Sequence, residues 1–173
     1  MKNNVILCGF MGCGKSTVGT LLAEKLNYTF LDSDKVIEQR EKMTVSEIFA
    51  VQGEGYFRAV ETAALTDLCK QNSQVIATGG GAVLNPLNAD TLRDNGTVFF
   101  LDVTPETVLR RLKDDTSRPL LQKHDKESAV RELMNIRRPI YIKHSHYTIN
   151  GNQNPGAVLQ EIIEILNTKS SKI

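Results

Sequence analysis

The chain is short of the features that would place it outside the cell, in a membrane or on a polyanion. Only three of its 173 residues are cysteines, Cys8, Cys13 and Cys69. The number is odd and the spacing fits neither a disulfide framework nor a metal site, so free thiols in a reducing compartment are expected. No apolar run approaches the roughly 20 residues of a membrane helix. Met1-Lys2-Asn3-Asn4 leads into a strand signal without the pattern of a signal or transit peptide, and a cytoplasmic location is expected. An excess of one charge is missing too. Lys and Arg number 21 against 20 Asp and Glu, which excludes a general pull towards nucleic acid or a membrane surface. A small anion needs only local arginines. There is no internal repeat, low-complexity tract or heptad pattern, and a monomer is expected. The length and the 40% apolar content suit a single domain, residues 1–173, around one sizeable core. Thr168 to Ile173 reads as a frayed end.

What is present is concentrated near the start. Gly9-Phe10-Met11-Gly12-Cys13-Gly14-Lys15-Ser16-Thr17 fits the phosphate-binding pattern G-x-x-x-x-G-K-[ST]. The apolar run Val5-Ile6-Leu7-Cys8 before it reads as a buried strand. Ser16 to Leu26 after it carries Val18, Leu21, Leu22 and Leu26 at helical spacing. Glycines let the backbone approach a polyphosphate, whose charge then meets backbone N–H groups and a helix N-terminus. In this pattern Gly12, Cys13, Gly14 and Thr17 belong to the cradle, Lys15 reaches the β- and γ-phosphates, and the Ser16 hydroxyl holds Mg²⁺. A nucleoside triphosphate ligand is expected.

Strand and helix signals then alternate, which argues for an α/β fold of three layers, with helices on both faces of a five-stranded parallel sheet. The strands are read at Val5–Cys8, Thr29–Leu31, Gln74–Ala77, Val98–Leu101 and Tyr147–Ile149. Thr44-Val45-Ser46-Glu47 is a capping box. Asn85-Pro86, Thr104-Pro105 and Asn154-Pro155 each pair a cap with proline at the first helical position, and Gly96 reads as a helix stop. Two stretches break the alternation. Asp34 to Gln71 holds more helix than one crossover needs and reads as an inserted substrate-binding element, about 33–61. Lys113 to Lys126 is polar and irregular around Arg118-Pro119 and reads as a loop over the site, about 112–125.

Further groups follow in order: Asp32-Ser33-Asp34, Phe57-Arg58 with Glu61, Thr78-Gly79-Gly80-Gly81, Arg118-Pro119-Leu120-Leu121, and Arg137 with Pro139 and Tyr141. Together with the phosphate loop they resemble the shikimate kinase family over nearly the whole chain. The resemblance implies a P-loop fold of the nucleoside monophosphate kinase type, with a core, a substrate-binding part and a lid. It also implies that ATP, with Mg²⁺, phosphorylates the 3-hydroxyl of shikimate in the route to chorismate and the aromatic amino acids.

Residue by residue, it implies that Asp34 binds the acceptor hydroxyls and orients or deprotonates the attacking oxygen. Asp32 would join Ser16 in the Mg²⁺ shell through water. Arg58 and Arg137 would clamp the acceptor carboxylate with planar guanidinium forks, and Glu61 would orient Arg58. Gly79, Gly80 and Gly81 would present backbone N–H groups where a side chain would intrude. Arg118, with Lys15, would meet the charge on the transferring phosphoryl group. Arg111 and Pro155 would flank the adenine. Phe49 and Phe57 read first as packing residues, with the substrate pocket as their alternative place, and His124, His144 and His146 as surface residues. Asn152-Gln153-Asn154 lacks an arginine that some members carry before this proline. The rivals are another kinase of the same fold, acting on gluconate or a nucleoside monophosphate, and a nucleotide-binding module without catalysis.

Overall fold

The computed structural model describes residues 3–113 and 125–170. Five strands lie where the apolar runs predict them, each within two residues at either end: β1 (Asn4–Cys8), β2 (Thr29–Asp32), β3 (Gln74–Ala77), β4 (Gly96–Asp102) and β5 (Tyr147–Asn150). All pair in parallel in the order β2-β3-β1-β4-β5. The central register sets Ile6 of β1 between Ile76 of β3 and Val98 of β4, and all three are fully buried. Such continuous apolar strands suit a parallel sheet covered on both faces.

The connections supply the cover. α1 (Lys15–Leu26) packs on β3 and against α8 (Pro155–Ser170), while α5 (Pro86–Asn95) and α7 (Lys126–His144) pack on β4. α6 (Pro105–Arg111) lies against α7. The predicted starts hold for local reasons. The Asn85, Thr104 and Asn154 side chains accept the backbone N–H groups of Leu87, Thr107 and Ala157, and each proline occupies the first turn. Two expectations need correction. Gly96 ends α5 in extended backbone (φ −179°), not in a left-handed cap. It is glycine because a Cβ would lie 2.5 Å from the Asn4 carbonyl oxygen of β1. Thr168 lies inside α8, so the frayed end expected from that residue does not begin there. Pro139 sits in the interior of α7, where its exposed position leaves the freed carbonyl of the preceding turn to water. Among the described residues, no helix is long and apolar enough to cross a membrane.

The extra helix between β2 and β3 resolves into α2 (Ser33–Glu41), α3 (Val45–Val51) and α4 (Gly53–Leu68). The capping box at Thr44 and Glu47 starts α3. These helices close over a small apolar cluster of their own, Ile37, Ile48, Phe57 and Ala64, separate from the sheet core. β1 feeds α1 and then β2 on one side of it, whereas the chain leaving β3 crosses to β4 on the other. Their C-terminal ends therefore diverge and leave a crevice, where open α/β sheets bind ligands.

Candidate active site

Above those strand ends lies a cleft of about 610 Å³. The phosphate loop forms its floor. Gly9, Gly12 and Gly14 take φ of 141°, 71° and 100°, values that suit glycine, and Gly14 is the N-cap of α1. The Lys15 ammonium donates to the carbonyls of Gly9 (2.8 Å) and Phe10 (2.9 Å), so the loop itself holds the cation over the cradle. Thr17 lines the same floor. Cys13 is buried with its sulfur 3.5 Å from the Lys15 nitrogen, and all three cysteines are buried free thiols. Burial pushes the Cys8 thiol up to about 12, against the pull of Lys15, so it stays protonated at neutral pH.

Asp32 ends β2 and serves two elements. One carboxylate oxygen accepts the N–H groups of Asp34 and Lys35 as the N-cap of α2, and the other accepts the Ser16 hydroxyl at 3.1 Å. The N-cap of α2 is thus Asp32, and Asp34 sits in the first turn, facing the cleft. Ser16 and Asp32 offer hard oxygen donors beside a phosphate cradle. This set fits Mg²⁺, which keeps several waters and shares phosphate oxygens. Among the described residues no group of three His, Cys, Asp or Glu could hold a metal.

The opposite wall comes from α4 and α7. Arg58 donates to Glu61 (2.8 Å) and to Glu54 (3.1 and 3.3 Å), and its guanidinium lies 5.3 Å from the Phe57 ring centre. Burial disfavours the Arg58 cation, but the two glutamates outweigh this and hold it charged. Burial also pushes the Glu61 carboxyl up, with Arg58 opposing. Arg137 faces the cleft 5.9 Å from the Phe10 ring centre. Its neighbour Arg138 turns away and chelates Asp102 at 2.7–3.1 Å, as the 100° step between adjacent helical residues requires. Phe57 is buried in the small cluster, while Phe49 is 36% exposed, packs on Phe57 at 4.6 Å and lines the cleft. The His146 ring accepts the Val98 N–H, so that exposed histidine also joins β5 to β4.

The glycine turn after β3 separates these groups. A Cβ on Gly79 would lie 2.6 Å from Asp34 Oδ1 and 3.0 Å from Glu61 Oε1, and one on Gly81 would lie 2.7 Å from Arg58. At Gly80 a Cβ would meet the protein only at ordinary contact distance, Gly9 O and Met11 N at 3.7 Å. The Gly79 N–H donates to the buried Ser33 hydroxyl at 2.9 Å. No sequence signal marks Ser33, since its partner lies 46 residues away. Arg111 bridges the carbonyls of Cys13 and Gly151 at 3.1 and 3.0 Å and shares the far end of the cleft with Pro155. Arg118 and His124 lie outside the described residues, as does most of the segment expected to cover the site.

Sheet, phosphate loop and cleft define a P-loop kinase of the nucleoside monophosphate kinase type. A gluconokinase from Sinorhizobium meliloti shares that fold at a TM-score of 0.59 and 14% identity, over 99% of this chain and 95% of that one. The model of the shikimate kinase family matches residues 11–167, and the chain belongs to that family. The shikimate kinase of Caldicellulosiruptor saccharolyticus is 45% identical over 170 residues, covering 98% of each chain. That of Pseudomonas paraeruginosa is 44% identical over 164 residues, 94% of this chain and 95% of the relative. Among solved structures, shikimate kinase from Acinetobacter baumannii in complex with shikimate matches with a TM-score of 0.93 and 40% identity, over 98% of this chain and 95% of that one.

Proposed function

We propose that this chain transfers the γ-phosphoryl group of ATP to the 3-hydroxyl of shikimate, within the cleft above β1 and β3. One observation carries the reading. Three consecutive glycines lie beside three different groups: Gly79 beside the carboxylate of Asp34, Gly80 beside the backbone of the phosphate loop, and Gly81 beside the guanidinium of Arg58. An acceptor seated on that turn meets a base, a phosphoryl donor and a cationic clamp at once, so orientation is supplied before reaction.

Asp34 orients the acceptor hydroxyl and takes its proton as the oxygen attacks. Arg58 and Arg137 hold the acceptor carboxylate, and Glu61 keeps Arg58 in place through its 2.8 Å contact. Lys15 and the amides of Gly12, Cys13 and Gly14 hold the phosphates, with Ser16 and Thr17 at the start of α1. Ser16 and Asp32 would hold Mg²⁺, which would supply positive charge against the phosphoryl oxygens. Arg111, whose N–H groups are engaged by carbonyls, keeps its planar face for the adenine opposite Pro155. The segment about 33–61 is read as the acceptor-binding insert and about 112–125 as the lid. The family pattern assigns Arg118 the charge of the transferring group.

The test is ADP release by the purified protein with shikimate, gluconate or a nucleoside monophosphate as acceptor. Release that depends on shikimate supports the reading, and release that depends on either of the others overturns it.

A further inference from the structure

Tyr141 is a large, fully buried residue of α7 that the proposed chemistry leaves without a task. Its ring stacks on Phe100 of β4 with centres 5.0 Å apart, which fixes the direction of the phenol. The phenol O–H donates a short hydrogen bond to the carbonyl of Gly80. The nearby Arg137 cation favours the ionised phenol, against the effect of burial. Burial pushes the Tyr141 phenol far above its usual range, so the donor proton stays on it at any working pH.

The peptide joining Gly80 to Gly81 is trans, so its N–H points away from its carbonyl. A carbonyl held down by Tyr141 therefore turns the Gly81 N–H away from the phenol, and Gly81 itself lines the cleft, with the Arg58 guanidinium close beside it. The other end of the turn is held by Ser33, which accepts the Gly79 N–H. Among the described residues no group accepts the Gly81 N–H. We infer that Tyr141 is a positioning residue of the acceptor site: its phenol sets the Gly80–Gly81 peptide so that the Gly81 N–H faces the acceptor beside Arg58. One buried hydroxyl on α7 thus aligns a backbone donor on the turn after β3. The inference rests on the proposed acceptor site.

Tyr141→Phe keeps the ring and the stack on Phe100 and removes only the hydroxyl. The expected result is a shikimate KM raised about tenfold, a kcat lowered less than that, and an ADP Kd unchanged. A residue that serves packing alone lowers Tm and leaves the KM ratio of the two substrates at the parental value, and that outcome overturns the inference. Arg137→Ala is measured beside it. If Arg137→Ala raises the shikimate KM and Tyr141→Phe does not, the inference alone fails. If neither moves it, the reading of the acceptor site fails with it. Should Tyr141→Phe not fold, the parent chain labelled with ¹⁵N-glycine carries the test. The Gly81 amide resonance must shift on shikimate addition while the Gly79 amide, already bonded to Ser33, stays. A Gly81 amide that does not respond contradicts the inference.

Discussion

The phosphate loop and the helical insert face each other across one cleft, yet they are built in opposite ways. The loop grows out of β1, the fully buried central strand, and acts largely through backbone: glycines at positive φ, amides at the start of α1, and loop carbonyls that hold Lys15. The insert stands on a separate cluster of four buried residues and contributes side chains, Asp34 from α2 and Arg58 with Glu61 from α4, which meet Arg137 from α7 only in the tertiary fold. On the proposed reading, the nucleotide is met mostly by backbone, which a side-chain substitution changes little, and the acceptor mostly by side chains, so specificity for the acceptor can change while the nucleotide site does not.

That contrast can be broken or sharpened by substitution. The largest effect belongs to Lys15→Met, which should lower kcat by about 10²–10³-fold or more. The loop carbonyls of Gly9 and Phe10 lose a donor, so a stability cost of about 1 kcal/mol is expected. Near-parental turnover of ATP and shikimate would show that the loop acts without its cation. Next come Arg58→Ala and Arg137→Ala, each expected to weaken acceptor binding by about 2–4 kcal/mol. An acceptor whose carboxylate is replaced by a neutral group is the control. If it binds parent and variants as shikimate does, the clamp is wrongly placed.

A smaller effect tests the independence of the two halves. Ile48 is fully buried in the insert cluster, and Ile48→Val should cost about 0.5–1.5 kcal/mol. It should raise the shikimate KM and leave the ADP Kd alone, whereas a parallel loss of nucleotide affinity would join the two halves into one unit. The smallest effect concerns pH. Burial raises the folded pKa of Glu61 above its unfolded value, so the stability it contributes is complete below the unfolded value and is lost as pH rises through the folded one. Glu61→Gln should remove that loss. Melting curves between about pH 4 and pH 8 should therefore slope less for the variant, and parallel curves would deny Glu61 a raised pKa.

Legibility in the sequence follows the same division. Features written in adjacent residues were readable: β3 at Gln74–Ala77 within its polar flanks, the three cap-proline pairs, the capping box at Thr44, and the phosphate loop with its flanking strand and helix. The direction of Arg137 against Arg138 followed from helix geometry. Contacts between distant residues were not readable. Ser33 and Gly79 are 46 apart, and Arg111 and Gly151 are 40 apart, so no local pattern announces either bond. That Asp32 and not Asp34 caps α2 is of the same kind: both are acidic residues at a strand–helix junction, and Asp32 also meets Ser16, 16 residues away. Gly96 shows the converse, since a helix-stop glycine in sequence proved to be a clearance glycine against β1.

The central claim is that Asp34 serves the acceptor and the phosphate loop serves the nucleotide across one glycine turn. Asp34→Asn tests it most directly, because the amide keeps the size and removes the charge and basicity. Measured on the same preparation, kcat should fall by about 10²–10⁴-fold while the Kd for ADP stays within about twofold of the parent. A kcat near the parental value, or a loss of ADP affinity as large as the loss of turnover, would contradict it.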